Sequence, residues 1–182
     1  MSQQTYSYLG GKVTLYVGDL TQQAVDAIVN AANSSLMGGG GVDGAIHRVG
    51  GPKVLEACRL IRQSTHPDGL PAGEVVITPG GNLPAKHVIH TVGPIYGRHG
   101  GKEAELLAAC YRNALLLASH HGMQSIAFPS ISTGAYGYPH AAAAEVVSTT
   151  LNEANLLNDV RLVFFDERQL QFFLKHQKFR LT

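Results

Sequence analysis

The chain has little of three things that often announce a function: cysteine, net charge and long apolar runs. Cys58 and Cys110 are isolated and fall in helical-looking segments, which leaves neither a disulfide framework nor a Cys-x-x-Cys redox pair. Fourteen basic residues against thirteen acidic ones give a formal charge of +1. That balance excludes a protein that lives on nucleic-acid backbone, so RNA is not expected as a primary partner. No uninterrupted apolar run approaches the ~20 residues of a membrane span. Met1 to Lys12 carry no basic stretch followed by an apolar one, so no secretory signal is visible. These absences fit a cytoplasmic protein with no membrane partner. What the chain does have is an ordinary globular share of apolar residues, 45%, and an excess of glycine, 21 of 182 residues.

A length of 182 residues suggests one domain, with 1–11 as a loosely ordered extension. Short β-branched runs alternate with longer helical stretches. Strands are expected at 12–17, 25–30, 74–78, 87–92, 125–129 and 161–165. Helices are expected from Val42 onward, from Pro52 with Val54, Leu55, Cys58, Leu60 and Ile61 apolar, and at 102–120, 141–155 and 167–177. The 102–120 helix places Leu106, Cys110, Ala114 and Leu117 on one face. This alternation predicts an α/β fold with a central mixed, mostly parallel sheet covered on both faces. No heptad or long apolar face demands a dimer, and a monomer is expected.

Ligands of such folds bind at the carboxyl ends of strands. Three segments occupy that position. The first runs from Asn30-Ala31-Ala32-Asn33 through Gly38 to Gly41 and into Val42-Asp43-Gly44. Successive glycines clear backbone N–H groups for an anion, and a helix start adds its positive end. A flexible surface loop explains polyglycine equally well. The second is Ser132-Thr133-Gly134-Ala135-Tyr136-Gly137-Tyr138-Pro139, a strand-to-helix loop able to wrap a second phosphate or merely to start a helix. Neither fits the Walker or dinucleotide fingerprints, so the pair suits holding a diphosphate rather than cleaving a triphosphate. The third is Gly18-Asp19-Leu20. Asp19 suits a turn cap, or an acceptor for an exocyclic amine such as that of adenine. Phe165, after the last strand, suits core packing or a stacking face for a base.

Together these segments resemble macrodomains, and within them the MacroD-type branch that includes bacterial O-acetyl-ADP-ribose deacetylases. The likeness rests on VDAIVNAANSSLMGGGGVDGAIHRVGG from Val25 to Gly51, on His90-Thr91-Val92-Gly93-Pro94, and on Phe128 to Pro139. It implies a three-layer α/β/α macrodomain fold with an ADP-ribose site. By that resemblance, Asp19 holds the adenine amine and Leu20 adds a backbone contact. Phe165 stacks on the base, where related proteins often carry tyrosine. Gly41, Val42 and Ser132, Thr133, Gly134, Ala135 and Tyr136 cradle the diphosphate. Asn33 binds the distal ribose and Asp43 lies beside the carbonyl carbon to be attacked. The implied activity is hydrolysis of esters at the distal ribose, in O-acetyl-ADP-ribose and in mono-ADP-ribose esterified to protein Asp or Glu.

The residues suit that chemistry. No G-x-S-x-G elbow or Cys–His pairing supplies a nucleophile, and nine scattered histidines offer no compact zinc set. No metal or cofactor is therefore expected, and Asp43 is the best-placed base. A carboxylate of ordinary pKa, near 3.9, is a weak base at neutral pH. Proton transfer is thus open between Asp43 and a phosphate oxygen of the substrate. Asn33 has no proton to titrate, so its role is positional. His47, one helical turn beyond Asp43, is expected as a packed helix residue, and His90 in an ordinary strand role. The rival function is a reader that binds ADP-ribose without turnover, which has no need of both Asn33 and Asp43.

Overall fold

The computed structural model describes residues 4–181. The β-branched runs form seven strands: β1 (Tyr6–Tyr8), β2 (Val13–Val17), β3 (Ala27–Ala32), β4 (Val75–Pro79), β5 (His87–Val92), β6 (Ser125–Phe128) and β7 (Asp159–Phe164). Between them lie α1 (Gly41–Gly50), α2 (Pro52–Ser64), α3 (Glu103–His120), α4 (His140–Glu153) and α5 (Glu167–His176). The strands make one sheet in the order β1-β2-β7-β6-β3-β5-β4. Strands β2, β7, β6, β3 and β5 run parallel, while β1 and β4 add antiparallel edges. The expected mixed, mostly parallel sheet is therefore present.

Period-two alternation decides which face each strand residue meets. On β3, Ala27 and Val29 pack with Leu107, Cys110, Ala144 and Leu170 of α3, α4 and α5. Ile28 and Ala32 point the other way, toward Ile46 of α1 and toward Val54 and Cys58 of α2. Helices thus cover both faces and complete three layers. Pro52 occupies the first turn of α2, where its missing N–H costs no hydrogen bond.

Several expectations shift in detail. Within 1–11, Tyr6–Tyr8 form edge strand β1, paired with Val13 to Leu15, while residues 1–3 lie outside the described residues. Leu60, counted among the apolar positions of α2, is 61% exposed. The buried face of α3 is rotated toward Leu107, Tyr111, Leu115 and Ala118, with Leu106 and Leu117 only partly covered. The last strand ends at Phe164, which is buried, and Phe165, just past its end, is exposed. No helix among the described residues is long and apolar enough to cross a membrane.

Candidate functional site

Because five strands are parallel, their carboxyl ends open on one edge of the sheet, and all three segments singled out above gather there. Between them lies a cleft of about 740 Å3, within the usual range for small-molecule sites. Gly18, Asp19 and Leu20 after β2, Gly41 and Val42 of α1, Thr133 and Gly134 after β6, and Phe165 after β7 all line it. Asn33, Asp43, Ser132, Ala135 and Tyr136 do not. All but Asn33 are nonetheless close in the chain to residues that line it, Asp43 following Val42 and Ser132, Ala135 and Tyr136 flanking Thr133 and Gly134.

Two loops supply donors rather than charges. Helix α1 starts after Gly40 without a side-chain cap, so its first N–H groups and its positive end are free. In the 129–139 loop, Tyr138 donates to the Ser132 carbonyl at 2.9 Å and Gly137 to that of Gly134 at 3.0 Å. Between them, the N–H groups of Thr133, Gly134, Ala135 and Tyr136 find no acceptor among the described residues. Four successive free amides on one turn are an anion cradle. The turn is held open by Ser132, whose φ of 67° is unusual for a residue with a side chain. Its hydroxyl is buried without a partner against Gly93, where a Cβ would lie 2.1 Å from Oγ. The 93–101 stretch props the turn further, since Tyr96 donates to the Tyr136 carbonyl at 2.9 Å.

Asp19 performs its capping role with one oxygen only: Oδ1 accepts from the Thr21 N–H at 2.9 Å and from its hydroxyl at 2.7 Å. Its other oxygen is left for the cleft. Phe165 is 83% exposed at the rim, which excludes core packing and leaves its ring face open. Asn33 follows β3 directly. Its amide donates to the Gly38 carbonyl at 3.0 Å and accepts from Ser35 Oγ at 2.5 Å, leaving one N–H and one lone pair spare. The guanidinium of Arg62, on α2, ties this loop down through the carbonyls of Ser35, His66 and Pro67.

Asp43, in the first turn of α1, is buried. Its Oδ1 accepts from the Asn30 amide at 2.8 Å, and His47 Nε2 lies 3.4 Å away, close but not hydrogen-bonded. The free oxygen Oδ2 and the Asn33 amide both border Gly39: a Cβ on that glycine would stand 3.3 Å from Asn33 Nδ2 and 3.3 Å from Asp43 Oδ2. The same close packing explains Gly44, whose Cβ would collide with the Gly39 carbonyl at 2.4 Å.

Beneath Asp43 runs a buried polar row absent from the sequence reading. Asn30 also donates to His90 Nδ1 at 3.1 Å, and His90 Nε2 meets Thr78 Oγ1 at 2.9 Å. Burial, reinforced by nearby His47 and opposed by Asp43, pushes the His90 imidazole down to about 3, so it is neutral. Burial and then Asp43 raise the Cys58 thiol, 3.8 Å from His90, to about 11. The cleft also has unforeseen walls in Ala45, Arg48, His140 and Gln169. The helical spacing of Val42, Ala45 and Arg48 would have found the first two. His140 and Gln169 come from distant helices and carry no local signal.

Comparison with known proteins shows the family and the fold. Residues 29–147 match the family described as Macro domain. The chain is 55% identical over 162 residues to the O-acetyl-ADP-ribose deacetylase of Salmonella typhimurium, covering 87% of this chain and 89% of that one. Its fold is similar to the Oceanobacillus iheyensis macrodomain with ADP, at TM-score 0.91 and 44% identity over 96% of this chain and 94% of that one. It is also similar to the Trypanosoma brucei macrodomain in complex with ADP-ribose, at TM-score 0.79 and 40% identity, covering 91% and 68% of the two chains.

Proposed function

The chain belongs to the Macro domain family, and on that premise we propose that it binds ADP-ribose and hydrolyses esters at the distal ribose. O-acetyl-ADP-ribose is the substrate the deacetylase relatives are named for. The observation that carries the hydrolase reading is that Asn33 Nδ2 and Asp43 Oδ2 both converge on Gly39. A site that only held ADP-ribose would gain nothing from a buried carboxylate in the first turn of α1.

The roles follow from the chemistry of each group. Adenine lies on Phe165 with its amine toward Asp19, and Leu20 adds a backbone contact. The diphosphate takes the free amides of Gly41, Val42 and Ser132 to Tyr136. Asn33 holds the distal ribose. Water, oriented by Asp43 Oδ2, attacks the acetyl carbonyl carbon and gives up a proton to that carboxylate or to a substrate phosphate oxygen. The carbon–oxygen bond to ribose breaks, the ribose oxygen takes a proton, and acetate leaves. A protein Asp or Glu esterified to the same ribose presents the same bond, so mono-ADP-ribosylated proteins form a second substrate class. The protein works in this reading as a cytoplasmic monomer of one domain.

Acetate release from O-acetyl-ADP-ribose, measured beside ADP-ribose calorimetry, tests this. Asp43→Ala and Asn33→Ala are expected to lower turnover by about 100-fold or more while ADP-ribose still binds. Wild-type protein that binds ADP-ribose but releases no acetate above background would make it a reader instead.

A further inference from the structure

We propose that Asn30, His90 and Thr78 are positioning residues that aim the Asp43 carboxylate, an inference that rests on the hydrolase reading above. The three side chains come from adjacent strands β3, β5 and β4, running out to the β4 edge of the sheet, on the face covered by α1 and α2. Asn30 and His90 are paired residues in the β3–β5 register. All three are buried. An apolar residue would fit each position, as Ile28, Val88 and Val76 do on the same face. Polar groups there cost stability unless every one is satisfied.

The row is satisfied in one direction only. Asp43, as a carboxylate, can only accept, so the group facing Oδ1 at 2.8 Å must be the Asn30 NH2. That orientation directs the second Asn30 N–H at His90 Nδ1, which then accepts. His90 therefore carries its proton on Nε2 and donates it to Thr78 Oγ1. Thr78 passes its own proton to the Pro79 carbonyl at 3.1 Å. Every donor in the chain is thus committed, and its free end is Asp43. The sacrifice is also visible: Asn30 Oδ1 is buried without any partner. Here the amide is held with its NH2 toward the carboxylate, and Oδ1 of Asp43 is anchored while Oδ2 is left toward Asn33 and Gly39.

Loss of the anchor lets the carboxylate rotate, which affects attack geometry without removing any cleft wall. None of the three residues lines the cleft. The effect should therefore fall on kcat and spare binding. Asn30→Ala is expected to lower kcat for O-acetyl-ADP-ribose by roughly 10- to 100-fold, with KM and ADP-ribose affinity within about threefold of wild type. Thr78→Val, which keeps the shape and removes only the hydroxyl, is expected to lower kcat about threefold to tenfold, and Thr78→Ser to restore it. Melting temperatures and circular dichroism report folding alongside. Wild-type turnover with kcat unchanged in Asn30→Ala overturns the positioning role, as does an equal loss of kcat and ADP-ribose affinity. If Asn30→Ala does not fold, an unchanged kcat in Thr78→Val overturns it instead. Wild-type protein that releases no acetate overturns the hydrolase reading and this inference with it.

Discussion

At the scale of single residues, two side chains in this protein are best explained by what they do not touch. Phe165 leaves its ring in solvent although the residue before it is buried. Large exposed aromatics cost little stability but offer stacking worth ~1–3 kcal/mol to a base. Phe165→Ala is therefore expected to weaken ADP-ribose binding by about tenfold or more in calorimetry while leaving the melting temperature in place. Unchanged affinity would remove Phe165 from the site. Asp19 shows the converse economy, capping a turn with one oxygen and keeping the other free. From the sequence, Asp19 and Phe165 each had a structural and a functional explanation. For Asp19 the structure accommodates both, and for Phe165 it removes the structural one.

At the scale of elements, the site depends on loops held in conformations that their own residues do not prefer. The 129–139 turn keeps its amides outward because Ser132 adopts positive φ and tucks its hydroxyl against Gly93. That close approach is why glycine stands at 93. Gly93→Ala would drive a methyl into Ser132 Oγ and Ile131, the latter at 2.6 Å. It is expected to cost about 1–3 kcal/mol in denaturant unfolding and to weaken ADP-ribose binding, because the turn must move. A variant with wild-type stability and affinity would show that the turn adapts freely. Strand and helix positions were largely legible, since hydrophobic periodicity and Pro or Gly punctuation are local signals. Edge strand β1 was not, because three residues paired only on one side carry too short a pattern.

At the scale of the whole molecule, the buried row couples the site to global stability. His90 takes up a proton in the unfolded chain with an ordinary pKa near 6.5, but in the folded protein only near pH 3. A depressed folded pKa means that stability is fully present above about 6.5 and is lost progressively as pH falls toward 3. At pH 5 the loss attributable to this one group is about 2 kcal/mol. Denaturant titrations between pH 7 and 5 are expected to show that decline, and His90→Gln to flatten it. An equally steep decline in the variant would show that His90 is not its source. Asp26 adds a smaller acid sensitivity lower down. The N–H groups of Gln124 and Ser125 hold its carboxyl below the usual range, tying the start of β3 to β6.

Likeness to macrodomains singled out Asn33 and Asp43, while the amino-acid sequence by itself determined the layered α/β architecture and the two amide-rich loops. Each of these is written in contiguous residues: a period, a glycine run, a strand-to-helix junction. Only the tertiary structure decided how the carboxylate is held. Asn30 and His90 lie 60 positions apart, and Thr78 is contributed by an antiparallel neighbour. In the sequence each is a lone polar residue within an apolar strand, with nothing to mark its partner. Strand order and register bring them into one line, and hydrogen-bond direction then points that line at Asp43.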